Sequence, residues 1–280
     1  MFPGSAHCGE IARINASDLT PEQFEATYIN RGMPVIITGL MDDWPAFKSG
    51  PRKWTLDFFK RQYGNTVCPV DTNGVKEQMK IAEYLDRFKE FEKLPVGSTV
   101  PYLRTWYFSD DIPELVNDFH PPDHFHRSDA FKKLPLDLQP PFQWLFFGPR
   151  GTESKLHVDI WETDAWLGMM QGVKTFTLFH PSHRKFIECG ENVWADLLHP
   201  VDDVKFPKQN CSYAATAELA EGEVIYIPRR WPHHAVAQSS SISLTLNFAP
   251  IICKSSILRF LEPYVKNRAR CQADKQVIFH

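Results

Sequence analysis

Between Pro141 and Pro250 the sequence breaks into short apolar runs, most of them closed by glycine or proline. The runs fall at 143–147, 155–161, 165–171, 173–179, 223–227, 233–238 and 241–248. Runs this short suit strands better than helices. Strands that turn back at once bury their faces only in a sandwich or a barrel. A mainly β core over 141–250 is therefore expected. The 22 prolines against 14 glycines point to strand ends and rigid loops, with no long helix.

The first half reads differently. Thr20-Pro21-Glu22-Gln23 is a helix start, with Gly32 as its end. A strand is expected at 33–38, a helix at 55–63 closed by Gly64, and a strand at 67–70. A third helix is expected at 77–91, with Ile81, Tyr84, Leu85 and Phe88 on one stripe. Residues 1–19 read as a loosely ordered lead-in, and 109–141 as a long irregular connection. A tail helix is expected at 255–272. No flexible linker divides these parts, so a single domain over 1–280 is expected, with 20–140 as a helix-and-strand lead-in.

Composition narrows the function. The chain has 280 residues, 34 acidic against 31 basic, and a net charge of −3. That balance speaks against disorder and against coating nucleic acid by bulk charge. No apolar run is long enough to span a membrane. The first residues show neither the basic nor the apolar part of a secretory leader. Cysteines stand at 8, 68, 189, 211, 253 and 271 with no C-x-x-C. Free buried thiols and an intracellular address, cytoplasmic or nuclear, follow as expectations.

The chemistry centres on Leu156-His157-Val158-Asp159. On a strand, residues two apart share a face, so an imidazole and a carboxylate would lie side by side. These are two members of a facial triad for non-haem Fe(II). With eleven histidines in the chain, such a pair also arises by chance, and a third ligand is needed. His233 and His234 are the candidates, and only one of two adjacent strand residues faces inward. Residues 241–248 alternate, with Ser243, Thr245 and Asn247 on a polar face. That face either lines a polar pocket or meets solvent. Lys174 shares its face with Phe176 and Leu178. Its ammonium either pairs with an anion, such as a carboxylate-bearing cosubstrate, or snorkels to the surface.

Taken in order, Pro140-Pro141-Phe142-Gln143-Trp144, Phe147-Gly148-Pro149, Leu156-His157-Val158-Asp159, Gln171-Gly172-Val173-Lys174, Glu221-Gly222-Glu223, Trp231-Pro232-His233 and Thr245-Leu246-Asn247-Phe248 resemble the JmjC-domain oxygenases. The likeness spans roughly 20–250 and is strongest to the small protein-hydroxylase branch, which includes the arginine-demethylase and lysyl-hydroxylase type. The resemblance implies a double-stranded β-helix, a jelly-roll or cupin-like barrel with flanking helices. It implies Fe(II) held by His157, Asp159 and a distal histidine fourteen residues before the asparagine of the last core strand. Counting back from Asn247 selects His233. It implies 2-oxoglutarate held by Lys174, Ser154, Thr245 and Tyr102, with Asn247 in the same pocket and O2 as oxidant. Two positions depart from the family pattern. Pro232 stands where a second tryptophan is usual, and Leu167 where a polar residue is often found.

The implied activity is a 2-oxoglutarate-dependent dioxygenase that hydroxylates a protein side chain. N-methyl demethylation or hydroxylation of a tRNA base are alternatives of the same chemistry, with nucleic acid not favoured. A non-catalytic cupin-like binding module is the alternative of another class. Glu162 and Asp164 are read as substrate contacts or as a solvated acidic loop, and His124 and His126 as surface residues. Lys254, Arg259, Lys266, Arg268 and Arg270 make the tail helix basic, which suits a solvated face or a phosphate-bearing partner. Leu258, Leu261 and Val265 are expected to pack on another element, with a homodimer as one outcome.

Overall fold

The computed structural model describes residues 10–95 and 98–278. Strand β1 (Ala12–Asn15) pairs in parallel with β2 (Val35–Thr38). Part of the expected loose lead-in is therefore a strand, and residues 1–9 lie outside the described residues. Helix α1 (Pro21–Phe24) starts on a reciprocal cap. The Thr20 hydroxyl accepts from the Gln23 N–H, and the Gln23 side chain accepts from the Thr20 N–H. The helix runs on as a π-turn, Glu25–Ile29.

Helix α2 (Leu56–Tyr63) is capped by Thr55. The next expected helix is shorter than its stripe suggested. Residues 77–80 belong to β4 (Val75–Lys80), which pairs antiparallel with β3 (Val67–Thr72), and α3 (Ile81–Asp86) starts only at Ile81. The reason is the Asn73-Gly74 turn, where both residues have positive φ (55° and 87°). That geometry folds the chain into a tight hairpin and extends pairing to Lys80. The connection at 109–141 is a series of short helical turns, among them Pro113–Asp118 and Asp123–His126.

The remaining strands are β5 (Tyr102–Trp106), β6 (Gln143–Gly148), β7 (Glu153–His157), β8 (Asp164–Gln171), β9 (Val173–Phe179), β10 (Ala214–Ala220), β11 (Glu223–Ile227), β12 (His233–Ala237) and β13 (Ser241–Phe248). They form two sheets. The larger runs β1-β2-β11-β8-β13-β6-β5-β3-β4 and the smaller β10-β9-β12-β7. The fold is thus mainly β with flanking helices, as expected.

Two apolar layers hold it together. The first packs helix residues Phe24, Phe59 and Tyr84 against Phe147, Trp166 and Leu244 of the large sheet. The second lies between the sheets, where Leu167, Met169 and Ile225 meet Phe176, Leu178 and Ala235. Each such side chain contributes about 1.5–3 kcal/mol by leaving water. The whole of β13 is buried, so its polar face does not meet solvent. Gly172 turns β8 into β9 at φ +87°, and a Cβ there would sit 2.5 Å from the Ser240 carbonyl oxygen.

The C-terminal helix, Lys254–Ile278, has 25 residues and carries Pro263 inside it. This overturns the expectation of no long helix. Several prolines stand at strand ends, so their number says little about one tail segment. Ile257 is buried against Phe131 and Phe142, and Leu261 packs beside it, whereas Leu258 stays 38% exposed. Cys68 and Cys253 are free and buried, but Cys189 and Cys211 are free and exposed, against expectation. Cys8 and the Cys271 side chain lie outside the described residues. Among the described residues, no helix is long and apolar enough to cross a membrane.

Candidate metal and cosubstrate site

His157 is the last residue of β7 and His233 the first of β12, and the two stand directly opposite each other across the antiparallel pair. Asp159 does not continue the strand. It precedes the single turn Ile160–Glu162, with φ −59° and ψ 156°. The expected strand at 155–161 therefore ends early, and a turn rather than strand alternation brings the carboxylate back to the imidazoles. Asp159 Oδ1 lies 3.8 Å from His157 Nε2 and 3.9 Å from His233 Nε2. One ligand atom from each of the three falls within 4.8 Å of the others.

The surroundings leave these atoms in forms that could ligate a metal. His157 Nδ1 lies 2.6 Å from the Lys155 carbonyl oxygen, and His233 Nδ1 lies 2.9 Å from that of Trp231. Each Nδ1–H donates there, which leaves each Nε2 as a lone pair facing Asp159. Partial burial, with the His233 imidazole close by, lowers the pKa of His157 and favours its neutral form. The side chain remains 39% exposed. Asp159 Oδ2 is buried and has no hydrogen-bond partner among the described residues. Such an oxygen is costly unless a cation takes it. His234 turns away, and its Nε2 contacts Glu153 Oε1 at 2.7 Å. The donor set of two imidazoles and one carboxylate suits Fe(II).

Lys174 lies deeper, between the sheets, and is 3% exposed. Its ammonium donates to the Tyr102 hydroxyl at 2.9 Å and to Ser243 Oγ at 2.7 Å. It also lies 5.3 Å from the Phe146 ring centroid. No carboxylate pairs with it among the described residues. Thr245 and Asn247 share the inner face of β13 with Ser243. Thr245 donates to the Trp166 carbonyl at 2.7 Å, and Asn247 Nδ2 donates to Thr163 Oγ1 at 3.0 Å. Ser154 is three residues before His157, which simple alternation would put on the opposite face. A register shift between β7 and β12 resolves this. Ser154 stands opposite Ala235, whose side chain belongs to the layer between the sheets.

The acidic pair is not a solvated loop. Asp164 is fully buried and accepts from the Tyr226 hydroxyl at 2.6 Å and the Arg229 N–H at 2.8 Å. Burial pushes its carboxyl up to about 6. Glu162 lies 3.3 Å from Arg184, 3.6 Å from Arg230 and 2.8 Å from Arg259 of the C-terminal helix. His124 contacts the Leu19 carbonyl oxygen at 2.6 Å and joins no metal-type cluster among the described residues. Leu167 lines the apolar layer between the sheets.

Sequence reasoning missed Ser243 as a partner of Lys174, although it had placed Ser243 on the polar face of the strand. It also missed Trp161 and Glu162 as a strained pair, at φ +57° and +53°. For bulky residues this conformation costs on the order of 1–3 kcal/mol each.

Two sheets carry two histidines and one carboxylate close enough together to hold one metal ion, a candidate centre of the cupin kind. The chain belongs to the cupin-like domain family, whose pattern matches residues 21–252. It is similar to the bifunctional arginine demethylase and lysyl-hydroxylase psr-1 of Caenorhabditis elegans, 28% identical over 86% of this chain and 62% of that protein. The arginine-specific demethylase JMJ22 of Arabidopsis thaliana is 27% identical over 96% and 51%. The 2-oxoglutarate and iron-dependent oxygenase JMJD4 of Gallus gallus is 25% identical over 69% and 48%. The JmjC resemblance is thereby shown. The chain spans about half to three-fifths of the length of these relatives.

Proposed function

We propose that this chain is an Fe(II)- and 2-oxoglutarate-dependent dioxygenase that hydroxylates a protein side chain. The observation that carries the reading is Lys174, a buried ammonium whose hydrogen-bond partners are two neutral hydroxyls. Such a charge is expensive unless an anion reaches it. A dicarboxylate cosubstrate supplies that anion, and the centre at His157, Asp159 and His233 stands at the same inter-sheet space.

In this reading His157, Asp159 and His233 hold Fe(II). Lys174, Tyr102, Ser154 and Thr245 hold 2-oxoglutarate, with Asn247 beside them. When bound, iron and 2-oxoglutarate let O2 oxidise a substrate C–H bond, releasing succinate and carbon dioxide. The chain does the rest. The Nδ1–H bonds to Lys155 and Trp231 fix both imidazoles in the ligating tautomer. Lys174 neutralises the far carboxylate of the cosubstrate. Leu167, Phe176 and Leu178 keep the space between the sheets dry, which strengthens each charged contact. The two sheets act as the double-stranded β-helix, within one domain.

The protein substrate is supported by the names of the relatives, which include arginine and lysine modification. Free cysteines at 68, 189, 211 and 253 suit a reducing, intracellular compartment. Leu258 is the exposed member of the tail stripe and is the contact proposed for a homodimer, which light scattering checks. The test of substrate class is mass spectrometry of cell-extract proteins incubated with active and His157→Ala chain. Added oxygen on protein side chains, present only with the active chain, is expected. Loss of methyl groups or oxygen on tRNA instead would redirect the assignment, and no change of any kind would favour a binding module.

A further inference from the structure

Of the three candidate ligands, the two histidines are each oriented by a hydrogen bond to a backbone carbonyl. Asp159 has no such support. Its Oδ2 has no partner among the described residues, so the direction of its carboxylate depends on the backbone turn that follows it.

That turn is unusual. Among the described residues, its backbone bonds are Glu162 N–H to the Asp159 carbonyl at 2.9 Å and Thr163 N–H to the Ile160 carbonyl at 3.1 Å. Trp161 and Glu162, next in line, both hold left-handed φ without being glycine. A conformation of this kind persists only where the surroundings impose it. Much of what imposes it comes from the far end of the chain. The Trp161 ring lies parallel to that of Phe260, with centroids 6.1 Å apart at 3°, and meets Tyr264 edge-on at 5.3 Å. It also meets Phe142 at 4.8 Å and Phe131 at 6.1 Å. Glu162 accepts from Arg259 at 2.8 Å. Thus two adjacent residues of the turn are each gripped by the C-terminal helix, one by stacking and one by charge. The helix is itself seated on the body through Ile257 and by the Tyr264 hydroxyl on the Gln139 carbonyl at 3.4 Å.

We propose that the C-terminal helix is the positioning element for Asp159. Through Arg259, Phe260 and Tyr264 it holds the Trp161–Glu162 turn in its left-handed form and so keeps the carboxylate aimed at the two imidazoles. The inference rests on the metal-binding reading of His157, Asp159 and His233. Arg259, Phe260 and Tyr264 are positioning residues, since they act on the metal only through the turn.

The test is Mn(II) binding to the full-length chain, followed by the electron paramagnetic resonance of the free ion, with no cosubstrate and no turnover. Arg259→Gln alters an exposed side chain and leaves the core intact, and Arg259→Gln with Phe260→Ala removes the ion pair and the parallel ring, leaving only the edge contact of Tyr264. The double variant is expected to bind Mn(II) about 10–100-fold more weakly, the range seen when the support of a metal ligand is lost. The single variant should fall between it and the wild type. Arg259→Lys should recover part of the loss, and Glu262→Ala, on the same helix but in neither contact, should bind like the wild type. Circular dichroism of the metal-free single variant should match the wild type. Equal Mn(II) affinity in wild type and both Arg259→Gln variants would overturn the proposal while leaving the metal reading intact. A wild-type chain that binds no Mn(II) would overturn the metal reading and the proposal with it.

Discussion

Lys174 donates to the hydroxyl of Tyr102 across 2.9 Å, tying β9 of the small sheet to β5 of the large one. The charge gains no carboxylate from this contact, so its burial serves something other than stability. Lys174→Met keeps the volume and removes the buried charge. The apo chain should keep or raise its melting midpoint. Affinity for 2-oxoglutarate, measured by calorimetry with Mn(II) present, should fall at least tenfold, since a charge-assisted hydrogen bond is worth about 1.5–3 kcal/mol. Unchanged 2-oxoglutarate binding would remove Lys174 from the site.

Adjacent histidines offer a sharp comparison. His233 faces Asp159, whereas His234 contacts Glu153. His233→Ala should abolish Mn(II) binding. His234→Ala should retain it and cost only the stability of the Glu153 contact, about 1–3 kcal/mol in urea unfolding. The reverse pattern would mean that the other histidine is the ligand.

Asp129 gives a pH-dependent test away from the metal. Burial pushes its carboxyl from an ordinary value of 3.8 up to about 6. Between these values the folded state binds more protons than the unfolded one, so stability falls as pH rises through the window. The penalty is complete above pH 6 and absent below about 4. Asp129 Oδ1 accepts from the N–H groups of both Phe131 and Ala249, and an asparagine oxygen can do the same. Asp129→Asn should therefore stabilise the chain by roughly 1–3 kcal/mol at pH 7–8 and make little difference near pH 4. Asp164, also raised to about 6, keeps its own share of the slope. Urea unfolding at several pH values measures both, and an Asp129→Asn gain that is constant with pH would contradict the account.

Much of the large sheet was legible because its pattern is period two. The alternation over 241–248 separated Ile242, Leu244, Leu246 and Phe248 from Ser243, Thr245 and Asn247, and the two sets do face different layers. Composition could not say whether the polar face lined a buried pocket or met solvent. The hairpin at Asn73-Gly74 carried a strong turn signal, but the helical stripe that begins at Ile81 masked it. Strand β10 escaped because Ala214–Ala220 is rich in alanine with a Glu-Leu pair, a composition that suits helices. It is strand because it pairs along its whole length with β9. The geometry of the candidate site was less legible. The turn at Asp159, the register shift at Ser154 and the grip on Glu162 by a helix 97 residues away depend on tertiary contacts that leave no local pattern.

Metal should act as a stabiliser. An ion that binds only the folded state adds about 2.7 kcal/mol at a hundredfold excess over its Kd. Mn(II) should raise the melting midpoint of the wild type, a chelator should reverse the rise, and Asp159→Ala should show none. An equal rise in Asp159→Ala would place the ion elsewhere.

The central claim is that His157, Asp159 and His233 support 2-oxoglutarate turnover. It is tested most directly by following succinate by nuclear magnetic resonance in aerobic mixtures of chain, Fe(II) and 2-oxoglutarate. The wild type should form succinate in an iron-dependent manner, and His157→Ala and Asp159→Ala should form none above background. Succinate formation that persists in both variants would contradict the account.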